Sequence, residues 1–400
     1  MSPATPNDPL LSFRDRFPIL GTTTYLISNS LGAVPRGVDE SLHDYYATWA
    51  TRGVRAWEET WWDLAASTGD LVAPLIGAGP GEVVFQPSVT LAHAVLFSCF
   101  DFRGLRPRVV TDAMHFPSIR YLIEGLKAEG AEVIDIPSDD DSTIETQRVI
   151  DAIDAQTAFV NLSHVLFKSS YIHDIAAIVE RARQVGAYTI IDGYQAVGSI
   201  PVNVRSLGVS AYIGGCLKWL CGGPGAAFLW VRPELRKTLA PRLTGWMAHT
   251  QPFAFQPSLD RRSDAWRFLH GTPNISALYA ARPGLEILHE AGIDAIRAKS
   301  LRQTERLLEL ADARGFSSTT PRNPEHRAGT VALNVPHGLE VSRALKAREI
   351  LCDYRPGAGI RLSPHFYTRD DELDLALNAI TEILDTGAWR AFTGTAGAVT

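Results

Sequence analysis

A lysine and an aspartate in this chain have the sequence context of a site that binds an aldehyde cofactor. Lys218 lies in the run GGCLKWLCGGPG at positions 214–225, among apolar and turn-forming residues. Apolar surroundings favour the neutral amine, and only the neutral amine forms a Schiff base with an aldehyde. Asp192 ends the apolar run 188–191, and a buried carboxylate can keep a pyridine nitrogen protonated by charge pairing. Together they predict a pyridoxal 5'-phosphate (PLP) site, with a solvated lysine and a structurally paired aspartate as the alternatives.

Two further residues are candidates for contacts with the same cofactor. Gln195 comes three residues after Asp192 and is a candidate for the phenolic oxygen of PLP. Phe116 follows a predicted strand and is a candidate for stacking on the pyridine ring. His115 is the alternative for stacking, and a position in the core is also typical of such a phenylalanine.

The phosphate group of PLP needs backbone N–H groups and hydroxyls. The segment PSVT at 87–90 lies between a predicted strand and the apolar helical run 91–96. The N-terminus of a helix binds anions through its free N–H groups. Ser88 and Val89 are therefore predicted phosphate contacts, although serine and threonine are also ordinary helix caps.

Short β-branched runs alternate with helical periodicity between about residues 79 and 231. Strands buried on both faces and alternating with helices indicate an α/β fold with a mostly parallel central sheet covered by helices. Ligands of such sheets bind at the carboxyl ends of the strands, where Ser163, Asp192 and the turn containing Lys218 are expected. The predicted strands are 83–85, 109–111, 133–136, 158–161, 189–192 and 211–214, and the predicted helices are 120–129 and 175–185.

The pattern changes after Pro273. An interrupted helical stretch at 275–313 is followed by a strand at 330–335, a helix near 341–347, a strand near 350–354 and an amphipathic helix at 371–384. These elements predict a small α+β C-terminal domain. We expect a large PLP-binding domain at 21–275 and a small domain formed by 276–400 together with residues 1–20.

Composition argues against several classes of function. The 400 residues carry a net charge of −6 without a Lys/Arg-rich block, so no nucleic-acid partner is expected. Charged residues precede any long apolar run, so neither a signal peptide nor a membrane span is expected. The four cysteines lack metal-ligand spacing, so we expect no metal site, and reduced thiols in a cytoplasmic protein.

On these residues the chain resembles the aminotransferase class V superfamily of fold-type I PLP enzymes, and within it the kynureninase-like group. The resemblance covers most of the chain. It rests on Asn29-Ser30-Leu31-Gly32, Phe116-Pro117-Ser118, Ser163-His164-Val165 followed by His173-Asp174, Lys218 followed by Gly223-Pro224-Gly225, Gly245-Trp246, Gly271-Thr272-Pro273, Asp353-Tyr354-Arg355 and Ile360-Arg361.

The resemblance implies roles for particular residues. The guanidinium group of Arg361 would bind the α-carboxylate of an amino-acid substrate, with a surface or interdomain salt bridge as its alternative role, and Asn29 and Ser30 would lie at the substrate. Trp246 and Thr272 look like segments that reach the phosphate across a dimer interface, so a homodimer with shared active sites is expected. The residues implied to hold PLP, in addition to Gln195, are Ser88, Val89, Phe116, Ser163, Asp192, Lys218, Trp246 and Thr272.

By this resemblance the expected reaction is the hydrolytic cleavage of the Cβ–Cγ bond of a kynurenine-like amino acid. Kynureninases usually have Tyr, Asp and His where this chain has Leu217, Ile119 and Gln195. Transamination, and a cysteine desulfurase or β-lyase reaction on the same scaffold, therefore stay open as alternatives. A desulfurase needs a mobile cysteine, and the loop 356–359 has none. A non-catalytic protein that keeps the fold for binding is a further alternative, which the joint presence of the lysine, the aspartate and the arginine disfavours.

Overall fold

A seven-stranded sheet forms the centre of the computed structural model, which describes residues 8–394. Among the described strands of this sheet, Ala227–Val231 alone is antiparallel to its neighbours, so the predicted mostly parallel sheet is confirmed. In spatial order the strands are Val83–Gln86, Ala227–Val231, Ala211–Gly215, Tyr188–Asp192, Thr157–Ser163, Arg108–Asp112 and Glu132–Ile136.

Helices cover this sheet because each presents an apolar face to it. In the helix Ile175–Val185 the residues at positions 175, 178, 179 and 182 are buried, which is the spacing of one helical face. The side chain of Asp174 caps its first turn, and Gly186 ends it with a positive φ of 71°. The other helices are Gly37–Arg52, Trp62–Val72, Val89–Phe97, Pro117–Leu126, Thr146–Ala152, Val204–Leu207, Ile275–Ala291, Ile293–Asp312, Gly338–Lys346 and Asp370–Thr386.

All six predicted strands of the central sheet are present, with ends that differ by one or two residues. Sequence reasoning did not identify the seventh, Ala227–Val231. Every residue of this strand is buried, and a short apolar run without alternation does not distinguish a strand from a buried helix.

A second, antiparallel sheet lies in the C-terminal part of the chain. Its strands are, in order, Asp353–Arg355, Gly359–Leu362, Val331–Asn334 and Ser317–Ser318. The single strand predicted near 350–354 is wrong, because the chain changes partners at the buried Cys352. Ile350–Leu351 pairs in parallel with Thr24–Tyr25, whereas Asp353–Arg355 pairs with Gly359–Leu362.

The N-terminal segment contacts the C-terminal helices. Arg14 forms a 2.7 Å salt bridge with Glu372, and Asp8 forms one of 2.8 Å with Lys299. The division into domains at 21–275 and at 1–20 with 276–400 remains a prediction. Its ends, 1–7 and 395–400, lie outside the described residues.

Candidate active site

A cavity of about 270 Å³ opens at the carboxyl ends of three neighbouring strands. Ser163 and Asp192 are paired in register as the last residues of their strands, and Asp192 pairs with Ile213 on the next one. Lys218 follows that third strand after a short turn. The structure therefore brings together in one cavity Ser88, Val89, Phe116, Ser163, Asp192, Gln195 and Lys218, seven of the residues predicted to contact PLP.

Lys218 has the properties of an amine that reacts with an aldehyde. Its Nζ atom makes no hydrogen bond or salt bridge with any described residue, and its side chain faces the cavity. Burial lowers its pKa to about 8, and the positive charge of Arg361 acts in the same direction, while the charge of Asp192 opposes the shift. A substantial fraction of this lysine is therefore neutral near neutral pH.

Asp192 is a buried carboxylate without a cationic partner in hydrogen-bond contact. Its Oδ1 accepts a hydrogen bond of 2.8 Å from the backbone N–H of Tyr194. Burial raises its pKa, and the charges of His93 and Lys218 and the Tyr194 N–H act against that rise. A protonated pyridine nitrogen would supply the missing positive charge, so the site fits the cofactor.

Two buried histidines lie beside Asp192. Ligand atoms of His93, His115 and Asp192 lie within 4.8 Å of one another, and both Nε2 atoms lack a partner among the described residues. His93 donates from Nδ1 to the carbonyl of Val89 (2.9 Å), which leaves Nε2 as an acceptor. Nδ1 of His115 accepts from the N–H of Phe116 (2.7 Å), so its Nε2 carries the proton. A metal ligand needs a free lone pair, and the Nε2 of His115 in this tautomer has none.

The N-terminus of the helix Val89–Phe97 presents groups that can bind a phosphate. The Oγ atom of Ser88 accepts a hydrogen bond of 3.2 Å from the N–H of Leu91 and keeps its own proton for a ligand. The ring of Phe116 is 42% exposed, which is unusual for a phenylalanine and leaves a face available to a planar ligand. The Oγ of Ser163 lies 3.4 Å from Nδ1 of His115.

The loop that contains Asn29 packs on the loop that carries Lys218. The N–H of Gly32 donates to the carbonyl of Leu217 (2.9 Å), and a Cβ atom at position 32 would lie 2.1 Å from the carbonyl oxygen of Lys218. Gln195 is shared between the two loops, since its amide donates to the carbonyl of Asn29 (3.0 Å) and accepts from Nε1 of Trp219 (2.8 Å). The second N–H of this amide remains for the phenolic oxygen that Gln195 is predicted to contact.

Asn29 and Ser30, the predicted substrate contacts, lie in the loop that packs behind Gln195, and neither lines the cavity. The side-chain amide of Asn29 is buried, and neither of its polar atoms has a partner among the described residues. An unpaired buried amide is costly, but Asn29 does not line the cavity, so the structure does not bring it to the expected ligand. Ser30 is partly exposed at the same turn.

Arg361 is buried and paired with Asp353. Its Nε donates to Oδ1 of Asp353 (2.8 Å), its Nη2 to Oδ2, and its Nη1 to the carbonyl of Phe167. A guanidinium group has five N–H donors, so one on each Nη remains for a carboxylate. Arg361 does not itself line the cavity but contacts Phe167, which does.

Trp246 and Thr272 are the two predicted PLP contacts that lie outside the cavity of Lys218. Both line a separate, open depression, in which the other residues are Val54, Trp57, Glu58, Trp62 and Phe253. Thr272 also borders Pro87 and Gly225, which are wall residues of the Lys218 cavity.

Among the wall residues to which sequence reasoning gave no role of their own are Tyr194, Val165 and Phe167. Each follows a strand end by two to four residues, and that position was a usable signal. An aromatic or aliphatic residue in such a loop is, however, equally typical of a core position.

Comparisons with known proteins identify the class that this fold and site define. The family model described as aminotransferase class-V matches residues 24–354. A kynureninase of Burkholderia pseudomallei is 32% identical, with 96% of this chain and 95% of the relative covered. A kynureninase of Pseudomonas fluorescens is 31% identical, with coverage of 96% and 94%.

Solved structures share the fold. The apo cysteine desulfurase from Thermococcus onnurineus NA1 superposes with a TM-score of 0.84 at 22% identity, over 96% of this chain and all of the other. The cystine C–S lyase C-DES, in complex with cysteine persulfide, gives 0.82 at 19% identity, over 92% and 99%.

The chain belongs to the aminotransferase class-V family. The resemblance, the α/β fold of this class and the assignment as a PLP-dependent enzyme are thereby confirmed. Within residues 8–394, no helix combines the length and the apolar character needed to cross a membrane.

Proposed function

We propose that this protein is a kynureninase-like hydrolase, which cleaves the Cβ–Cγ bond of a kynurenine-like amino acid. The observation that carries this proposal is the relationship to kynureninases, which extends over 96% of the chain at 32% identity. The cavity with its lysine, carboxylate and helix N-terminus supports amino-acid chemistry on PLP. When bound, PLP supplies an electron sink for negative charge that develops on the substrate.

The residues of the cavity, and Arg361 behind Phe167, would have separable tasks in this chemistry. The helix N-terminus at Ser88 would bind the phosphate group, and Asp192 would keep a proton on the pyridine nitrogen. Nζ of Lys218 would accept the proton from the substrate α-carbon. The two remaining N–H groups of Arg361 would hold the substrate carboxylate.

The residue types in the cavity wall differ from those that kynureninases usually have. Ile119 and Leu217 line the cavity and cannot donate a proton, and the amide of Gln195 is engaged by Trp219 and the Asn29 carbonyl. Lys218 is therefore the group we expect to return protons to the substrate. The assay must therefore test whether cleavage proceeds without a tyrosine at position 217, next to Lys218.

A desulfurase reaction receives no support from the cysteines. All four lie within the described residues, and none of them lines the cavity. Cys352 is fully buried, and burial raises the pKa of its thiol to about 12, so a thiolate is not accessible there. Transamination has no such obstacle, and the assay includes it.

The test is an assay of the PLP-loaded protein with L-kynurenine, with products separated by chromatography. We expect anthranilate and alanine in equal amounts, and neither product from the Lys218→Ala variant. Parallel incubations contain L-alanine with a keto acid, and L-cysteine. A new amino acid from the first mixture, or sulfide from the second, with no anthranilate from kynurenine, would replace hydrolysis by transamination or by β-elimination.

We also propose a homodimer with shared active sites. Support comes from an apolar, mostly aromatic surface formed by Val54, Trp57, Trp62, Trp246, Phe253 and Phe255, of which Val54 is 81% and Phe255 77% exposed. Large exposed apolar patches are typical of protein interfaces. A cytoplasmic location, the setting in which free thiols are common, is part of the same proposal and agrees with four unpaired cysteines.

Subunit complementation tests the shared site. Lys218→Ala and Thr272→Asp are each expected to be inactive, the second because its charge repels the phosphate. A mixture refolded or co-expressed from both should recover about one quarter of the wild-type activity, since half the dimers are mixed and each holds one intact site. No recovery in mixtures that do contain mixed dimers would place Thr272 in the site of its own chain.

A further inference from the structure

Two aromatic rings face the amine of Lys218, and only one of them was expected there. Nζ lies over the ring of Phe116, 5.7 Å from its centroid, and over the ring of Tyr194, 4.3 Å from its centroid. Both rings line the cavity. A planar ring joined to Nζ is therefore within contact range of both.

The surrounding structure fixes the ring of Tyr194 in this place. Its backbone N–H donates to Oδ1 of Asp192, which ties the residue to the strand end. Its ring packs on Gly215, where a Cβ atom would lie 2.6 Å from Cε2 of the tyrosine. Because a glycine ends the strand Ala211–Gly215, there is room for the ring.

The hydroxyl of Tyr194 does not explain why a tyrosine occupies this position. Burial raises the pKa of its phenol well above the usual value, so the phenol stays neutral and cannot serve as a base. The hydroxyl makes no hydrogen bond with any described residue. The part of the side chain that faces Nζ of Lys218 is the face of the ring.

We propose that Tyr194 is a positioning residue whose ring, together with that of Phe116, holds the ring of the bound cofactor by aromatic contact. This inference rests on the PLP site described under the proposed function. It assigns to a second residue the stacking role expected of Phe116 alone. Aromatic pairs prefer offset or edge contacts and add to affinity beyond the area that they bury.

The test measures how tightly the protein holds PLP, independently of turnover. The dissociation constant is obtained by titrating apoprotein with PLP, and the release rate by trapping PLP lost from the holoprotein. For Tyr194→Leu we expect PLP to bind about tenfold more weakly, with faster release. For Tyr194→Phe, which keeps the ring and removes the hydroxyl, we expect affinity within about twofold of wild type.

Tyr121→Leu is the matched control, because Tyr121 is 75% exposed and lies outside the cavity. Tyr194→Met retains most of the side-chain volume and replaces Tyr194→Leu if the latter does not fold. Wild-type affinity in the ringless variants would overturn the proposal, as would an equal loss in Tyr194→Phe, which would place the effect in the hydroxyl. Failure of the wild-type protein to bind PLP would instead overturn the cofactor assignment itself.

Discussion

The lowered pKa of Lys218 predicts how quickly the apoprotein reloads PLP at each pH. Only the neutral amine attacks the aldehyde. With a pKa of about 8 rather than 10.5, roughly 9% of Lys218 is neutral at pH 7 instead of about 0.03%, a difference of about 300-fold. The reloading rate should rise about tenfold per pH unit below pH 8 and become constant above it.

The assay follows the absorbance of PLP bound to the lysine after mixing with apoprotein from pH 6 to pH 10. PLP has ionisable groups of its own, so each rate is divided by that of Nα-acetyl-lysine with PLP at the same pH. This ratio should stay constant below pH 8 and then decline, because the free amine continues to gain neutral form up to its ordinary pKa. A ratio that remains flat to pH 10, in protein shown by circular dichroism to be folded, would refute the lowered pKa and the role of burial.

Three further predictions concern Asp192, Gly32 and Arg361. Asp192→Asn should retain PLP but lower kcat by at least about 100-fold, measured as product release, because the pyridine nitrogen loses its charge partner; unchanged kcat would contradict the role of the carboxylate. Gly32→Ala should lower the free energy of unfolding by about 1–3 kcal/mol in denaturant titrations, since its Cβ would meet the carbonyl oxygen of Lys218 at 2.1 Å, whereas Gly21→Ala, with open space, should have little effect. Arg361→Met should lower the free energy of unfolding by about 3 kcal/mol, because the buried Asp353 would keep only its longer, 3.5 Å salt bridge with Arg355. Adding Asp353→Asn should restore most of the stability but not the KM for substrate, and recovery of both would remove Arg361 from the substrate site.

Local sequence patterns were sufficient for the parts of the site that depend on one strand end at a time. The apolar runs before Asp192 and Ser163 determine where those strands end, and parallel pairing then brings the two residues together. The helix cap at Ser88 is equally local. For this reason the grouping of these residues in one cavity could be predicted from a single chain.

Contacts between distant segments could not be predicted in this way. The pairing of Arg361 with Asp353 depends on the register of two short antiparallel strands, and the engagement of Gln195 depends on how the loop at Asn29 packs. Neither register nor loop packing is visible in composition or periodicity. The role expected of Trp246 and Thr272 would require in addition a second subunit, which no pattern within one chain specifies.

The chemistry of the cavity wall restricts how protons can move in this enzyme. Burial lowers the pKa of Lys218 in the cavity wall to about 8, while it raises the pKa of the Tyr194 phenol well above its usual value. In our proposal Asp192 pairs with the pyridine nitrogen, and the side chains of Leu217 and Ile119 have no proton that they can donate. In the proposed hydrolysis, Nζ of Lys218 would remove the proton from the α-carbon and would also protonate Cβ when its bond to Cγ breaks, while water supplies the hydroxyl that Cγ gains. This requires the substrate to present both Cα and Cβ on the side of the cofactor facing the lysine. Contact with the rings of Phe116 and Tyr194 would hold the cofactor ring in the orientation that proton transfer on the side of the lysine needs.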